Sequence, residues 1–407
     1  MSAINVKDKK ILHKLAAEWR EISESKEMRE LKKLWYEHNA MRGVRPMVTV
    51  ESSSFCEELI PDMMECEGDN ARKLERRLRE GLLNAVYFKD DTVVDSFFPV
   101  TLYGWIKPFD IDVKIDRQDS SLGHHFVEQI HDLEEDFGKL KKSTFYSGRK
   151  DAQAFCDLAN DSFGDILPAK LVGKCLGSCL TQDIVHIMSM ETMFISMCDY
   201  PELFHKMMKM LSDDYIEFYR FCEKEKLLLP TTDSERVGQG TYAFTKELKQ
   251  KDNPVSKEIW GYMDSQETVN VSPQMFGEFI FPYYSKVAEQ FGLTSYGCCE
   301  PVHPFWSEYL SKLPGLRKVS ISAWCDQSFM GEKLKGGKVM FHRKPAATFL
   351  GVGEELDKEA FKKDIQATMQ AAKGCKVEFT QRDVYTVNRS LKKVEEYVSI
   401  VRENGVY

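Results

Sequence analysis

No apolar run in the 407 residues approaches the ~20 that a membrane-spanning helix requires, so no membrane association is expected. The opening stretch MSAINVKDKKILHKL is charged and carries no apolar signal core, which predicts a cytoplasmic protein. An excess of cationic residues is also missing. The chain has 56 Lys+Arg against 64 Asp+Glu, a formal net charge of −8, and nucleic-acid binding through neutralised phosphates is not expected. There is no P-loop, no GxSxG elbow and no HExxH pair, which argues against phosphoryl transfer, α/β-hydrolase and zincin chemistry. Gly238-Gln239-Gly240 and Gly351-Val352-Gly353 stand outside the strand–GxGxxG–helix setting of a dinucleotide site. No Pro/Gly/Ser tract is long enough to separate domains, and no segment repeats. The eleven cysteines are odd in number and scattered, which fits free thiols in a reducing compartment better than a disulfide scaffold.

What is present suits a large globular enzyme, with 43% hydrophobic and 12% aromatic residues to build a core. Leu12, Leu15, Ala16 and Trp19, then Leu31, Leu34 and Trp35, fall at helical spacing, so residues 1–45 read as a helical extension. PMVTVESSS at 46–54 reads as a strand running into a loop, and FFPVTLYGW at 97–105 as a further β-rich run. Residues 108–165 lose the rhythm and read as an insertion carrying a hairpin and a helix. In the last third TSYGCCE, KVSISAWCD, KVMFHRK and KVEFTQRD are strands, with helical segments between most of them. Alternation at this spacing predicts an α/β fold, a (β/α)8 TIM barrel over 46–407 with the insertion near its mouth.

Each of those strands ends in reactive side chains: Cys298, Cys299 and Glu300; Cys325 and Asp326; His342, Arg343 and Lys344; Gln381, Arg382 and Asp383. In such a barrel the C-terminal strand ends share one mouth, so these residues are the candidate site. Cys298, Cys299, Glu300 and His303 bring sulfur, oxygen and nitrogen donors within six residues, and Cys325, Asp326 or Asp383 could complete a zinc site. The competing reading makes the cysteines small buried hydrophobes. Gln266 and Glu267 follow the run WGYMDSQE and belong in a loop at the same mouth. Cys175 and Cys179 read as buried thiols, Met188 to Met197 as core filler, and His124-His125 as an exposed loop pair.

SQETVNVSPQMFGEFIFPYYSKVAEQFGLTSYGCCEPVH, followed by LPGLRKVSISAWCD and then RKPAA, resembles the uroporphyrinogen decarboxylase-like superfamily, and within it the corrinoid-dependent methyltransferases. The resemblance covers about residues 45–400 and is strongest over 264–345. It implies a β/α barrel whose mouth takes a small methylated substrate and docks a separate corrinoid carrier protein. Thiol-accepting members hold zinc through a His-x-Cys pair and a later Cys. The matching pair here is Tyr296 and Cys298, and because Tyr is a poor zinc ligand, Cys299 or Glu300 with Asp383 would have to compensate. The strand that usually reads SPWAD in this branch is Ala323-Trp324-Cys325-Asp326 here, with an added thiol. Arg42-Gly43-Val44-Arg45-Pro46 has two arginines but lacks the rest of the arginine-rich motif of true uroporphyrinogen decarboxylases.

The resemblance sets a chemical demand. A cob(I)alamin nucleophile takes the methyl group, so the enzyme must improve an oxygen or sulfur leaving group with an acid or a Lewis-acid metal. Glu300 and Asp326, beside Gln266 and Glu267, are the expected catalytic residues. Tyr103, Trp105 and Trp324, with Tyr296 and His342, are expected to bind an apolar or aryl substrate. An O-methyl aromatic is the first expectation, a thiol or thioether the second. A non-catalytic barrel that binds a tetrapyrrole or corrinoid, and a decarboxylase of a small carboxylated substrate, are the alternatives.

Overall fold

The computed structural model describes residues 4–116 and 125–407. His124 therefore lies outside the described residues, while His125 is exposed in a short strand pair, Ile115–Asp116 with His125–Phe126. Helices α1 (Val6–Ser23) and α2 (Lys26–Asn39) begin on Asn5 and Ser25, whose side chains cap the backbone N–H of Asp8 and Met28. Leu12, Leu15, Ala16, Trp19 and Trp35 are buried and join the main core. No helix among the described residues is long and apolar enough to cross a membrane.

The wall consists of β1 (Met47–Val50), β2 (Phe98–Thr101), β3 (Ala169–Val172), β4 (Leu176–Gly177), β5 (Trp260–Met263), β6 (Leu293–Tyr296), β7 (Leu316–Ile321), β8 (Met340–Arg343) and β9 (Val377–Gln381). Seven of these form one curled sheet in the order β1-β9-β8-β7-β6-β5-β4, every neighbour parallel. β2 pairs in parallel with β3, and only residues 173–175 separate β3 from β4. The expected closed barrel is thus an open one, because no ladder joins β1 to β2 among the described residues. The reason is local. The segment after residue 89 takes over the edge of β1: the N–H groups of Val48 and Val50 donate to the carboxylates of Asp91 and Asp90, both at 2.8 Å. The Val48 carbonyl accepts from Asp91 N, and the Val50 carbonyl from Asn84 Nδ2. Side chains and loop backbone thus satisfy an edge that would otherwise need a strand.

The region read as an insertion supplies one strand, Thr144–Ser147, of a hairpin whose other strand, Gly104–Lys107, precedes it, and the hairpin packs through Phe145 on Phe218 and Phe221 of the helix Pro201–Lys224. The following helix, Arg149–Phe163, is the crossover between β2 and β3.

A second hairpin, Arg236–Gly238 against Thr241–Tyr242, fills the inside of the wall. Its turn, Gly238-Gln239-Gly240, has three consecutive positive φ angles. It touches side chains from around the sheet: Gly240 O accepts from Thr49 Oγ1 of β1, Gln239 Oε1 from Lys344 Nζ just past β8, and Thr241 Oγ1 and Tyr242 O from Lys318 Nζ of β7. A Cβ on Gly240 would stand 2.5 Å from Thr380 Cγ2, so only glycine fits there. The plug explains why inward-facing strand positions are polar. Lys318, Glu378, His342, Thr49 and Thr380 are all buried, and they bond to the hairpin or to each other.

Candidate functional site

At the C-terminal end of β6 the chain turns at Gly297, whose φ of +100° and Cβ direction, 2.9 Å from Ser320 Cβ, require glycine. This turn places Cys298, Cys299 and Glu300 against the ends of β5, β8 and β9. Cys298 Sγ lies 3.5 Å from Cys299 Sγ and accepts a hydrogen bond from Arg382 Nη1 at 2.8 Å. Arg382 Nε is fixed in turn by Glu51 at 3.0 Å, just past β1. Cys299 Sγ donates to Asp383 Oδ2 at 2.9 Å.

The two thiols are therefore driven apart in acidity. The neighbouring Cys299 thiol, then Lys344 and Arg382, lower Cys298 to about 6 against its burial. Cys299, between an anionic sulfur and a carboxylate, is raised and keeps its proton. Lys344 is fully buried, donates to Gln239 and to Gly297 O, and is lowered by that burial. Alkylation of Cys298 followed by peptide mapping is expected to have a midpoint near pH 6, and Arg382→Leu should move that midpoint upward by removing the cation.

Beside the thiols sits a cluster of buried carboxyls. Glu300 is 2% exposed; its Oε2 accepts from Cys298 N at 2.7 Å and its Oε1 from Ser265 N at 3.2 Å. Burial, then the charges of Asp264 and Cys298, raise it to about 8. Asp264, at the end of β5, accepts from Tyr262 Oη on one oxygen; its Oδ1 has no hydrogen-bond partner among the described residues, and burial raises it too. Glu267 accepts from Thr181 Oγ1 at 2.7 Å and is raised to about 7 by burial. Between about pH 6 and pH 7 this mouth thus holds the neutral acids Glu300 and Glu267 next to the Cys298 thiolate and the Arg382 guanidinium.

The structure brings Cys298, Cys299, Glu300, Asp383 and Glu267 into this region, keeps Tyr296 and Gln266 at its edge through Ser265 and Glu267, and gives the other expected residues other partners. Asp326 caps the helix Gln327–Leu334, accepting from Phe329 N at 2.9 Å, and its own N–H meets His303 Nδ1. Cys325 is buried against the backbone of Val302 and His303 and is raised to about 11. Trp324 is 77% exposed. Trp105 stacks on Tyr146 of the outer hairpin, and the Tyr103 ring lies tilted against Trp105. His342 bonds Thr380 Oγ1 at 2.8 Å inside the wall, and Tyr296 Oη bonds Ser265 Oγ at 2.6 Å. Gln266 opens the short turn Gln266–Thr268 and is partly buried.

The residues do not fit the expected zinc ion. Among the described residues no three His, Cys, Asp or Glu side chains converge as ligands. The Arg382 guanidinium already occupies the Cys298 sulfur, and Lys344 adds a second positive charge where a divalent cation would sit. Asp264, Tyr262 and Glu51 had no assigned role in the sequence reading. The signal for Asp264 was its position at a strand end, like that of the other site residues.

No protein-family model matches the sequence, and no curated protein sequence matches it. In fold, the chain resembles a methyltransferase from Methanosarcina mazei, with a TM-score of 0.52 and 10% identity, covering 92% of this chain and 98% of that one. The two chains share a fold.

Proposed function

We propose that this protein is a methyltransferase that moves a methyl group from a small O-methyl compound to the cobalt of a corrinoid held on a carrier protein. In this reading the wall is a (β/α)8 barrel in which β3 and β4 are one bent strand. The observation that carries the reading is the placement of Glu300: a buried carboxyl held by Ser265 N and Cys298 N, next to the Cys298 sulfur that Arg382 binds. The shared fold with a methyltransferase supports it.

When bound, the corrinoid supplies a cobalt nucleophile for the methyl carbon; everything else falls to the protein. As the O–CH3 bond breaks, its electron pair stays on oxygen, and the protein must neutralise the developing charge. Glu300 supplies the proton, its carboxyl oriented by the Ser265 and Cys298 N–H groups. Arg382 and Lys344 stabilise the negative charge before the proton arrives. Burial of this cluster excludes water and strengthens both effects. Trp324, three residues beyond β7, gives the same end of the sheet an exposed aromatic surface on which an apolar ring system can rest.

The test is anaerobic incubation with free cob(I)alamin and a panel of methyl donors, followed by absorbance. Conversion to the methylated corrinoid with a methoxyarene, dependent on the protein, is the expected result. A spectral shift without turnover would mean a binding protein, and carbon dioxide release from a carboxylated compound would mean a decarboxylase.

A further inference from the structure

In a strand, adjacent side chains point to opposite faces, which would hold the sulfurs of Cys298 and Cys299 apart. β6 ends at Tyr296, however, and the bend after Gly297 brings the two sulfurs together, Sγ to Sγ at 3.5 Å. A disulfide needs about 2.05 Å, so side-chain rotation with a local backbone adjustment closes the gap. No other two of the eleven cysteines are within hydrogen-bond distance of each other among the described residues. Cys66 donates to Asp8 O and Cys375 to Gly331 O, and both are buried. Cys299 is only partly buried, which gives a small solute access to the pair.

The groups around the pair give its two sulfurs different parts to play. Arg382 Nη1, at 2.8 Å, stabilises Cys298 as the thiolate, the form that attacks an oxidant. Asp383 Oδ2, at 2.9 Å, is in place to take the proton of Cys299. One sulfur is thus the nucleophile, and the other is a resolving thiol with its base beside it. Consecutive Cα atoms across a trans peptide stand about 3.8 Å apart, closer than the ~4.4–6.8 Å of ordinary disulfides. A bridge between neighbours is therefore readily reduced again, which suits a reversible modification.

We infer that Cys298 and Cys299 form a redox site that hydrogen peroxide oxidises to a vicinal disulfide and that a dithiol reductant reopens. In the first step the Cys298 sulfur attacks one peroxide oxygen, the O–O bond breaks, and Cys298 becomes a sulfenic acid. The departing hydroxide takes a proton from solvent and leaves as water. In the second step Cys299 passes its proton to Asp383 and attacks the Cys298 sulfur. The S–O bond breaks, and the leaving hydroxide takes that proton from Asp383 as a second water. The two sulfurs lose two electrons, and the two peroxide oxygens gain them. The bridge removes the sulfur charge that Arg382 holds and shifts the Cys298 N–H that holds Glu300. The redox site stands on the two sulfurs and their partners; only its effect on methyl transfer, an arrest, rests on the methyltransferase reading.

The experiment treats the reduced full chain with an equivalent of hydrogen peroxide, alkylates the remaining thiols and digests with trypsin. Val287 to Lys312 is released as one peptide in which these are the only cysteines. The expected peptide is lighter by two hydrogens and carries no alkyl group, and dithiothreitol restores both alkylation sites. Cys299→Ser should stop at the sulfenic acid, which dimedone traps on Cys298. Asp383→Asn should slow closure of the bridge about a hundredfold, the low end of what a positioned base contributes, and leave the first step intact. A parent peptide that keeps both free thiols, goes on to sulfinic acid, or joins a different cysteine would overturn the site. A disulfide in a protein that transfers methyl from no donor would refute the methyltransferase reading and leave the redox site standing. Methyl transfer by a protein whose pair stays reduced under peroxide would do the reverse.

Discussion

Replacing Glu300 with Gln is expected to lower the rate of methyl transfer by about 10²–10⁴-fold, the usual worth of a positioned general acid. Gln keeps the shape but has no proton to give. Its amide oxygen can still accept from one of the two N–H groups that hold the carboxyl, Ser265 N and Cys298 N, while its NH2 faces the other. A modest loss of stability should accompany the large loss of rate, and a thermal melt separates the two. In the parent protein the same carboxyl sets the pH profile. Glu300 is protonated below about 8, so activity should fall as pH rises through that value, and Glu300→Gln should lose that limb. Stability follows the same sign. Between the ordinary value of 4.5 and about 8 the folded protein binds a proton that the unfolded chain has released, so this group's contribution declines as pH rises across that window.

The second large effect concerns the plugged interior. Glu378→Ala is expected to destabilise the fold by about 3–5 kcal/mol, because it strips a buried ammonium of its counter-charge. Lys318 and Glu378 are fully buried and 3.0 Å apart, and besides Glu378 the ammonium meets Thr241 Oγ1, Tyr242 O and the faces of Trp35 and Trp260, none of which carries a negative charge. His38 and His342 flank the carboxylate at 3.8 and 3.9 Å, but burial, with the positive charges of Lys318 and Arg45 on His38 and of Lys344 and Lys318 on His342, drives both far below the usual imidazole range. Neither can replace Lys318 as the partner. The double variant Lys318→Met with Glu378→Leu should recover much of the loss, since it removes both charges together. Denaturant titration of the three proteins gives the comparison. Equal losses for the single and the double variant would mean that packing, not the charge pair, sets the cost.

These two sites differ in how far the sequence revealed them. The four late runs are β6 to β9, and their reactive ends do gather Cys298, Cys299, Glu300, Arg382 and Asp383, because parallel strands deliver their C-terminal ends to one side. The plug was not legible. Residues 225–259 show no strong periodicity, and the turn Gly238-Gln239-Gly240 gains its meaning only from the strands around it. Lys318, His342 and Thr380 were the missed signal, as polar residues at alternating positions in buried strands. The run FFPVTLYGW reads as one strand but holds two, broken at Leu102-Tyr103, and the break sends Trp105 to the outer hairpin. Asp326 looked like a strand-end acid, yet it immediately precedes a helical run. An Asp in that position is an N-cap first.

The central claim is that Glu300 carries a proton at neutral pH beside an ionised Cys298. Infrared difference spectroscopy of the parent protein against Glu300→Gln measures this directly. The expected result is a protonated carboxyl stretch at pH 7, present only in the parent protein and lost with a midpoint near pH 8. A Glu300 carboxylate signature already complete at pH 7 would contradict the account and remove the acid from the reaction.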